Sequence, residues 1–187
     1  MHDAYLADRK RALRARMRAV TRAIGGDPPR RRRRSAAVCA ALAELVTASD
    51  GGAPARVMVF ESRPDEVDLA SFVAWCRERA IDVYVPVVAG ERLDPVALGD
   101  AAGGTPVGPI LLDPALLDPA LLDVVIVPGL AFTADGRRLG RGGGHYDRFL
   151  PRLGAGCLRV GVAYREQLVD SLPSAPHDAA VDTVVTA

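Results

Sequence analysis

The sequence has few cysteines and no long apolar run, and both shortages limit the classes of protein to which it can belong. Cys39, Cys76 and Cys157 are odd in number and widely spaced, which argues against a disulfide framework or a cysteine-based zinc site. The longest apolar runs, such as Val124–Val127, are far too short to cross a membrane. Residues 1–24 are rich in arginine and contain no apolar stretch of signal-peptide length. We therefore expect a cytoplasmic protein with reduced, buried thiols and no membrane contact.

The net charge is also small, at +1, so the molecule as a whole offers no strong field to nucleic acid. Positive charge is concentrated in residues 9–34, which include the run Arg30–Arg34. No aromatic residue is interleaved with these arginines to stack on bases, and we interpret the run as a solvated loop and helix start. The alternative is an interaction module that binds polyanions through this run, and salt-sensitive binding to nucleic acid would be its mark.

Helical and strand-like segments alternate along 187 residues, a length that fits one domain. Apolar spacing predicts helices over residues 3–24, 35–47 and 64–80, with Ser35 as the N-cap of the second. Short apolar runs predict strands over residues 56–60, 83–86, 123–128, 159–163 and 182–186. Residues 87–121 predict a long loop with one or two helical turns. The alternation indicates a single α/β domain over residues 1–187, with a largely parallel sheet and helices on both faces.

A glycine-rich segment follows the strand at residues 123–128, where ligands of an open α/β sheet bind. The segment contains four glycines, Gly140, Gly142, Gly143 and Gly144. Without Cβ atoms, they let a phosphate approach the backbone N–H groups, and Arg138 and Arg141 add charge-assisted donors. The segment is neither a Walker loop nor a dinucleotide fingerprint, because no Gly-Lys-Ser/Thr follows and a long loop separates strand from glycines. We interpret it as a loop that binds the phosphates of ATP.

Asp147 follows these glycines in the first turns of a short predicted helix, which Pro151 ends near Leu150. The dipole of a helix favours an ionised carboxylate at this end. Mg²⁺ uses one or two carboxylates together with phosphate and water oxygens. Asp147 is therefore a candidate metal ligand, and the alternative is that it only caps its helix.

These residues resemble the signature of the 5-formyltetrahydrofolate cyclo-ligase family. The central match covers Gly136, residues 138–144 and residues 146–148, after the predicted strand. Further segments resemble the family pattern in the same order, namely residues 10–14, 61–68, 162–168 and 177–182. The resemblance spans nearly the whole chain. It implies a Rossmann-like fold, similar to that of the sugar-phosphate isomerase and CoA-transferase superfamily.

The resemblance also implies a reaction and its site residues. ATP and Mg²⁺ would drive the cyclisation of 5-formyltetrahydrofolate to 5,10-methenyltetrahydrofolate, with release of ADP and phosphate. Independently of the resemblance, we expect a monomer whose partners are these small molecules. The implied ATP-binding residues are Lys10, Arg14, Arg138, Gly140, Arg141, Gly142, Gly143, Gly144, His145 and Tyr146. The implied catalytic residues are Arg141, His145 and Asp147. The implied folate contacts are Glu61 and Glu66, and the implied metal ligands are Asp147 and Asp178.

Some of these residues have a plainer interpretation when the sequence is considered alone. Lys10 and Arg14 are four residues apart on one helix face, where solvated charges are common. Glu66 has the position of an ordinary first-turn helix acid. Tyr164 and Trp75 have two interpretations, as contacts of the pterin or as core residues, and we favour the core.

The chain departs from the family pattern at three places. His145 stands where the family commonly has tyrosine, which introduces a titratable ring. Gly143 replaces a lysine found in some members. Residues 101–115 lack the usual Gly-x-x-Glu-Pro. Because of these departures, one alternative is that the chain is a non-catalytic or regulatory paralogue that binds a nucleotide. A sugar-phosphate isomerase or deaminase is a further alternative, although it would not need a metal on Asp147.

Overall fold

The computed structural model describes residues 2–48, 54–99 and 116–187 of the chain. The α-helices are α1 (His2–Gly25), α2 (Pro28–Ala48), α3 (Ala70–Glu78) and α4 (His145–Phe149). The strands are β1 (Arg56–Met58), β2 (Asp82–Ala89), β3 (Arg92–Ala97), β4 (Val124–Val127), β5 (Ala131–Phe132), β6 (Arg138–Leu139), β7 (Leu158–Ala163) and β8 (Thr183–Thr186). Short 3-10 turns cover Pro119–Leu121, Leu150–Arg152 and Arg165–Gln167. None of the helices in these ranges is long and apolar enough to span a bilayer.

Six strands form the main sheet in the order β3-β2-β1-β4-β7-β8. All neighbours pair in parallel except β2 and β3, which are antiparallel. Strands β5 and β6 form a separate antiparallel hairpin. The hairpin carries the chain from the end of β4 to the glycine segment. The expected α/β fold with a largely parallel sheet is confirmed.

Alternate side chains of the buried strands pack on opposite faces of the sheet. Val124 and Ile126 of β4 belong to a buried cluster with apolar residues of α2 and α3. Val125 and Val127 belong to a second cluster with Phe149 of α4. The run Val124–Val127 is continuously apolar because both faces of a covered parallel sheet are buried.

The beginning of α2 was predicted wrongly. The helix begins at Pro28, since proline suits a first helical position, and the Arg30 N–H donates to Asp27 Oδ1 at 3.0 Å. Ser35 is therefore not an N-cap. It lies buried inside the helix, where its hydroxyl contacts the Tyr164 hydroxyl at 3.0 Å. The run Arg30–Arg34 lies in the first turns of α2, so its interpretation as a helix start is confirmed and its interpretation as a loop is wrong. Arg30, Arg32 and Arg33 are exposed, whereas Arg34 pairs with Glu166 across the fold at 2.5 Å.

Two further predicted elements differ from the structure, and both lie near the candidate active site. Helix α3 begins at Ala70 instead of residue 64, because the preceding residues form a turn in which the Arg63 N–H donates to Glu66 Oε2 at 3.0 Å. The strand predicted over residues 83–86 is confirmed as part of β2, but β2 continues to Ala89 and pairs in a hairpin with β3, where a loop was expected. Pro86 lies opposite Pro95 in this hairpin. Pro95 is tolerated because β3 is an edge strand, and Pro86 because it lies beyond Tyr84, the last residue of β2 that pairs with β1. The helical turn expected in this region is found at Pro119–Leu121, while residues 101–115 lie outside the described ranges.

The three cysteines are free and buried, as expected. Burial raises the pKa of Cys76 and of Cys157 to about 12, which keeps both thiols protonated.

Candidate active site

Two cavities meet along the glycine segment at the carboxyl end of β4. The first has a volume of about 690 Å³ and lies against α1, and the second has a volume of about 570 Å³ and lies against β2, β3 and the turn before α3. The residues that line both are Arg138, Gly140, Arg141, Gly144 and Asp147. Every residue that the sequence predicts for the site lines at least one of these cavities.

Most of the charged side chains that line the first cavity are cationic. Lys10 and Arg14 face it from α1, and Arg11, Arg18 and Arg148 add further positive charge. Lys10 is only 9% exposed, so the interpretation of this residue as a solvated charge is wrong. Such a lining favours an anionic ligand.

Asp178 holds Lys10 in the first cavity. The Lys10 Nζ lies 2.7 and 2.5 Å from the two carboxylate oxygens of Asp178. Burial of Asp178 acts to raise its pKa, but hydrogen bonds from Lys10 and from the Ala175 N–H outweigh this effect and lower the pKa below its ordinary value. Asp178 is therefore ionised at neutral pH, which a metal ligand requires.

The arginines of α1 also anchor the glycine segment. Arg14 Nε donates to the Gly140 carbonyl, and Arg18 Nη2 donates to the Arg141 carbonyl, each at 3.0 Å. Gly142 has a φ of +113° and Gly144 a φ of +67°, conformations that L side chains rarely adopt. The glycines thus allow a backbone conformation that residues with side chains rarely adopt. The hydrogen bonds from Arg14 and Arg18 of α1 hold the backbone in this conformation.

The second cavity combines an apolar wall with two carboxylates. Phe60, Pro86, Val88 and Leu93 supply apolar surface, and Glu61 and Glu66 line the same cavity. Glu66 is 8% exposed, and its Oε1 accepts from Arg141 Nε at 2.8 Å. Its main-chain carbonyl accepts from Tyr164 Oη at 3.0 Å. Glu66 lies in the turn before α3, so its interpretation as a first-turn helix acid is wrong.

Three residues predicted to bind ATP line the second cavity, and they do not line the first. They are Gly143, His145 and Tyr146. The Tyr146 hydroxyl and His145 Nδ1 are buried and have no hydrogen-bond partner within the described ranges. Burial raises the pKa of Tyr146, so its hydroxyl stays protonated and can donate to a ligand.

The two aromatic residues interpreted as core lie outside both cavities. Tyr164 is fully buried, and Trp75 stacks on Phe72 with 5.6 Å between ring centroids. Their interpretation as core residues is confirmed.

Asp147 occupies the wall between the cavities. Its Oδ1 accepts from Arg138 Nη2 at 2.6 Å and from the Ala179 N–H at 3.2 Å. The N-cap of α4 is Gly144, which makes no side-chain cap, so the alternative that Asp147 merely caps this helix is wrong. Asp147 instead links the glycine segment to the segment that carries Asp178.

Asp147 and Asp178 fit a metal that binds together with a nucleotide. Both line the first cavity, and the Ala179 N–H brings the segment of Asp178 next to Asp147. The described part of the chain contains no group of three or more His, Cys, Asp or Glu residues that would form a complete protein cage. Mg²⁺ does not need one, because phosphate and water oxygens complete its coordination. A bound metal would compete with Lys10 and Arg138 for these carboxylates.

Sequence reasoning missed two residues that shape this wall. Asp65 Oδ1 accepts from Arg141 Nη2 at 3.0 Å, and Arg18 holds the Arg141 carbonyl. Arg18 was predictable from the sequence, since it follows Arg14 by four residues on the same helix face. Asp65 was not predictable, because nothing in its spacing indicates contact with a residue 76 positions away.

The fold and the site together define an α/β protein with a cationic cavity and an apolar-walled cavity joined by a glycine-rich loop. A model of the 5-formyltetrahydrofolate cyclo-ligase family matches residues 7–187. The chain belongs to the 5-formyltetrahydrofolate cyclo-ligase family.

Individual relatives agree with this assignment. The chain is 44% identical over 63 residues to the 5-formyltetrahydrofolate cyclo-ligase of Mycolicibacterium smegmatis, an alignment that covers 34% of this chain and 32% of the relative. It is 44% identical over 71 residues to the mitochondrial 5-formyltetrahydrofolate cyclo-ligase of Arabidopsis thaliana, covering 33% of this chain and 26% of the relative. The chain thus spans about a third or less of the length of these curated relatives.

Two solved structures extend the similarity over the whole fold. The 5,10-methenyltetrahydrofolate synthetase of Aquifex aeolicus superimposes with a TM-score of 0.76 at 29% identity, covering 95% of this chain and 89% of that one. The 5,10-methenyltetrahydrofolate synthetase of Mycoplasma pneumoniae gives a TM-score of 0.78 at 21% identity, covering 94% and 97%, and shows the shared fold.

Proposed function

We propose that the protein cyclises 5-formyltetrahydrofolate to 5,10-methenyltetrahydrofolate, with ATP as co-substrate and Mg²⁺ as cofactor. The observation that carries this proposal is the wall shared by the two cavities. Arg138, Arg141 and Asp147 line a cationic cavity on one side and an apolar-walled cavity on the other. A group can therefore pass from a ligand in the first cavity to a ligand in the second beside the same three side chains.

The chemistry needs such a transfer. The formyl oxygen of an amide is a poor leaving group, and phosphorylation activates it. The oxygen attacks the γ-phosphorus of ATP, and the bond to the bridging oxygen breaks to release ADP. The second folate nitrogen, N10, then attacks the formyl carbon and loses its proton. The carbon–oxygen bond breaks, and the oxygen leaves with inorganic phosphate.

Phosphoryl transfer asks a protein mainly for positioning and charge neutralisation. In the proposed site, Lys10 and Arg14 bind the phosphates of ATP, and Arg138 and Arg141 bind the group being transferred. Gly140, Gly142 and Gly144 bring backbone next to the phosphates. Mg²⁺ held by Asp147 and Asp178 would neutralise charge on the phosphoryl oxygens.

The second cavity is proposed to hold the folate. The apolar wall accommodates an aromatic ring system, while Glu61 and Glu66 accept hydrogen bonds from its N–H groups. Gly143, His145 and Tyr146 line this cavity and do not line the first, so we assign them to contacts with the folate and with the phosphoryl group that is transferred to it. The unpartnered Tyr146 hydroxyl supports this assignment, since a ligand acceptor would satisfy it.

We further propose that the protein works as a monomer in the cytoplasm. Three free and buried thiols suit a reducing compartment.

The first prediction is that the protein catalyses the proposed reaction. Purified protein should form methenyltetrahydrofolate from 5-formyltetrahydrofolate only when ATP and a divalent metal are both present, because each is needed to activate the formyl oxygen. The product is followed by its absorbance, with reactions that lack ATP or contain a chelator as controls. ATP binding without product above the uncatalysed rate would contradict the proposal and favour a non-catalytic relative.

A further inference from the structure

Asp65 connects Arg141 to α1. Its Oδ1 accepts from Arg141 Nη2 at 3.0 Å, and its Oδ2 accepts from the Thr21 hydroxyl at 3.1 Å. Thr21 is 1% exposed, and the Asp65 side chain is 20% exposed. A carboxylate with both oxygens engaged by fixed donors has little rotational freedom.

The chain around Asp65 is itself held against α1. A Cβ placed on Gly25, the last residue of α1, would lie 2.7 Å from the Pro64 carbonyl oxygen and 3.2 Å from the Asp65 Cα. This close approach requires glycine, and it fixes the backbone next to Asp65. The backbone of Arg141 is held from the same helix, because Arg18 donates to its carbonyl. The backbone and the side chain of Arg141 are therefore both held in position relative to α1.

The charges around Arg141 indicate that its geometry matters more than its attraction for anions. Its Nε donates to Glu66 at 2.8 Å, and its Nη2 lies 2.8 Å from Glu66 and 3.0 Å from Asp65, so one guanidinium faces two carboxylates. Two adjacent negative charges oppose the binding of a phosphate and lower its affinity. They also fix the plane of the guanidinium, and Nη1 takes part in neither contact. Arg141 as a residue lines both cavities.

We propose that Asp65, held by Thr21, is a positioning residue that fixes the Arg141 guanidinium on the wall between the two cavities. Asp65 acts on turnover through Arg141, without touching either substrate. The effect on turnover rests on the proposed function, whereas the effect on the orientation of Arg141 does not.

The kinetic test uses Asp65→Asn, which keeps the shape of the side chain and removes its charge. We expect kcat to fall about 10- to 100-fold, since small displacements of a catalytic group have effects of this size. We expect KM for ATP to stay unchanged or to fall, because a negative charge near the phosphates has been removed. Thr21→Val should lower kcat in the same direction but less, because it frees Asp65 without changing the charge. A kcat within twofold of wild type in Asp65→Asn, or a rise in KM for ATP, would overturn the proposal.

Asp135→Asn is the matched control. Asp135 also pairs with an arginine, Arg137, at 3.1 Å, but this pair is exposed and lines neither cavity. Its kinetic constants should equal those of wild type.

A second readout does not depend on turnover. The side-chain Nε–H resonance of Arg141, assigned in ¹⁵N-labelled protein by comparison with Arg141→Lys, should be sharp in wild type. It should broaden in Asp65→Asn and in Thr21→Val, and it should be unchanged in Asp135→Asn. Broadening together with a wild type that makes no product would retain the positioning role and reject the proposed function. An unchanged Arg141 resonance in both variants would reject the positioning role.

Discussion

Asp147→Asn should lose activity about 100-fold or more while keeping its fold. The reason is the loss of the negative charge that a hard cation requires, since a catalytic metal stabilises developing charge by several kcal/mol and each 1.36 kcal/mol is about tenfold in rate. Asparagine still offers an acceptor to the Ala179 N–H. The variant should recover part of its activity at high Mg²⁺ concentration, and the measurement is kcat as a function of Mg²⁺.

A second effect of the same substitution must be separated from the first. The Arg138 side chain is 3% exposed and loses its carboxylate partner in this variant, so the melting temperature should fall modestly. A lost Arg138 partner alone would lower activity equally at every Mg²⁺ concentration, whereas a lost metal ligand makes the defect depend on Mg²⁺. Full activity at ordinary Mg²⁺ would show that Asp147 does not bind the metal.

Lys10→Ala and Arg14→Ala should each raise KM for ATP about 10- to 150-fold. This corresponds to about 1.5–3 kcal/mol for the loss of a charge-assisted hydrogen bond to phosphate. Arg16→Ala is the matched control, because Arg16 lies on the same helix but is exposed and lines neither cavity. The measurement is the dependence of the initial rate on ATP concentration.

The stability of the two variants should differ. Lys10→Ala leaves the partly buried Asp178 without its ion-pair partner, so its melting temperature should fall. Arg14→Ala removes a bond to a carbonyl and leaves no unpaired charge, so its melting temperature should fall less. Normal ATP kinetics in both variants would mean that neither residue binds phosphate.

The parts of the fold that were predictable from sequence are those with a local signal. The strand at Val124–Val127 was identified because its residues are continuously apolar, and α1 because its apolar residues recur with helical spacing. Part of β2 was predicted as a strand over residues 83–86, whereas β3 was missed because Pro95 argues against a strand unless its edge position is known. The start of α2 was missed because prolines followed by a run of arginines suggest a loop, whereas Pro28 suits the first turn of a helix. Arg34 in addition makes its contacts with residues far along the chain.

The candidate site was likewise predictable only where its residues form a local pattern in the sequence. The glycine-rich loop was recognisable from sequence because its glycines, Arg138 and Arg141 lie close together in the chain, and its binding of phosphate stays a prediction. The pairing of Lys10 with Asp178 joins residues 168 positions apart, and no spacing rule predicts it. Asp178 was identified only through resemblance to the family, and Asp65 was not identified as a site residue at all. Long-range contacts of single charged residues depend on the complete fold.

The fate of the formyl oxygen tests most directly whether the shared wall transfers a phosphoryl group between the two cavities. The protein is incubated with ATP, Mg²⁺ and 5-formyltetrahydrofolate that carries ¹⁸O in its formyl group, and the inorganic phosphate is analysed by mass. If the formyl oxygen attacks the γ-phosphorus, each phosphate released with methenyltetrahydrofolate carries one ¹⁸O atom. Unlabelled phosphate, with the ¹⁸O recovered in water, would contradict direct transfer.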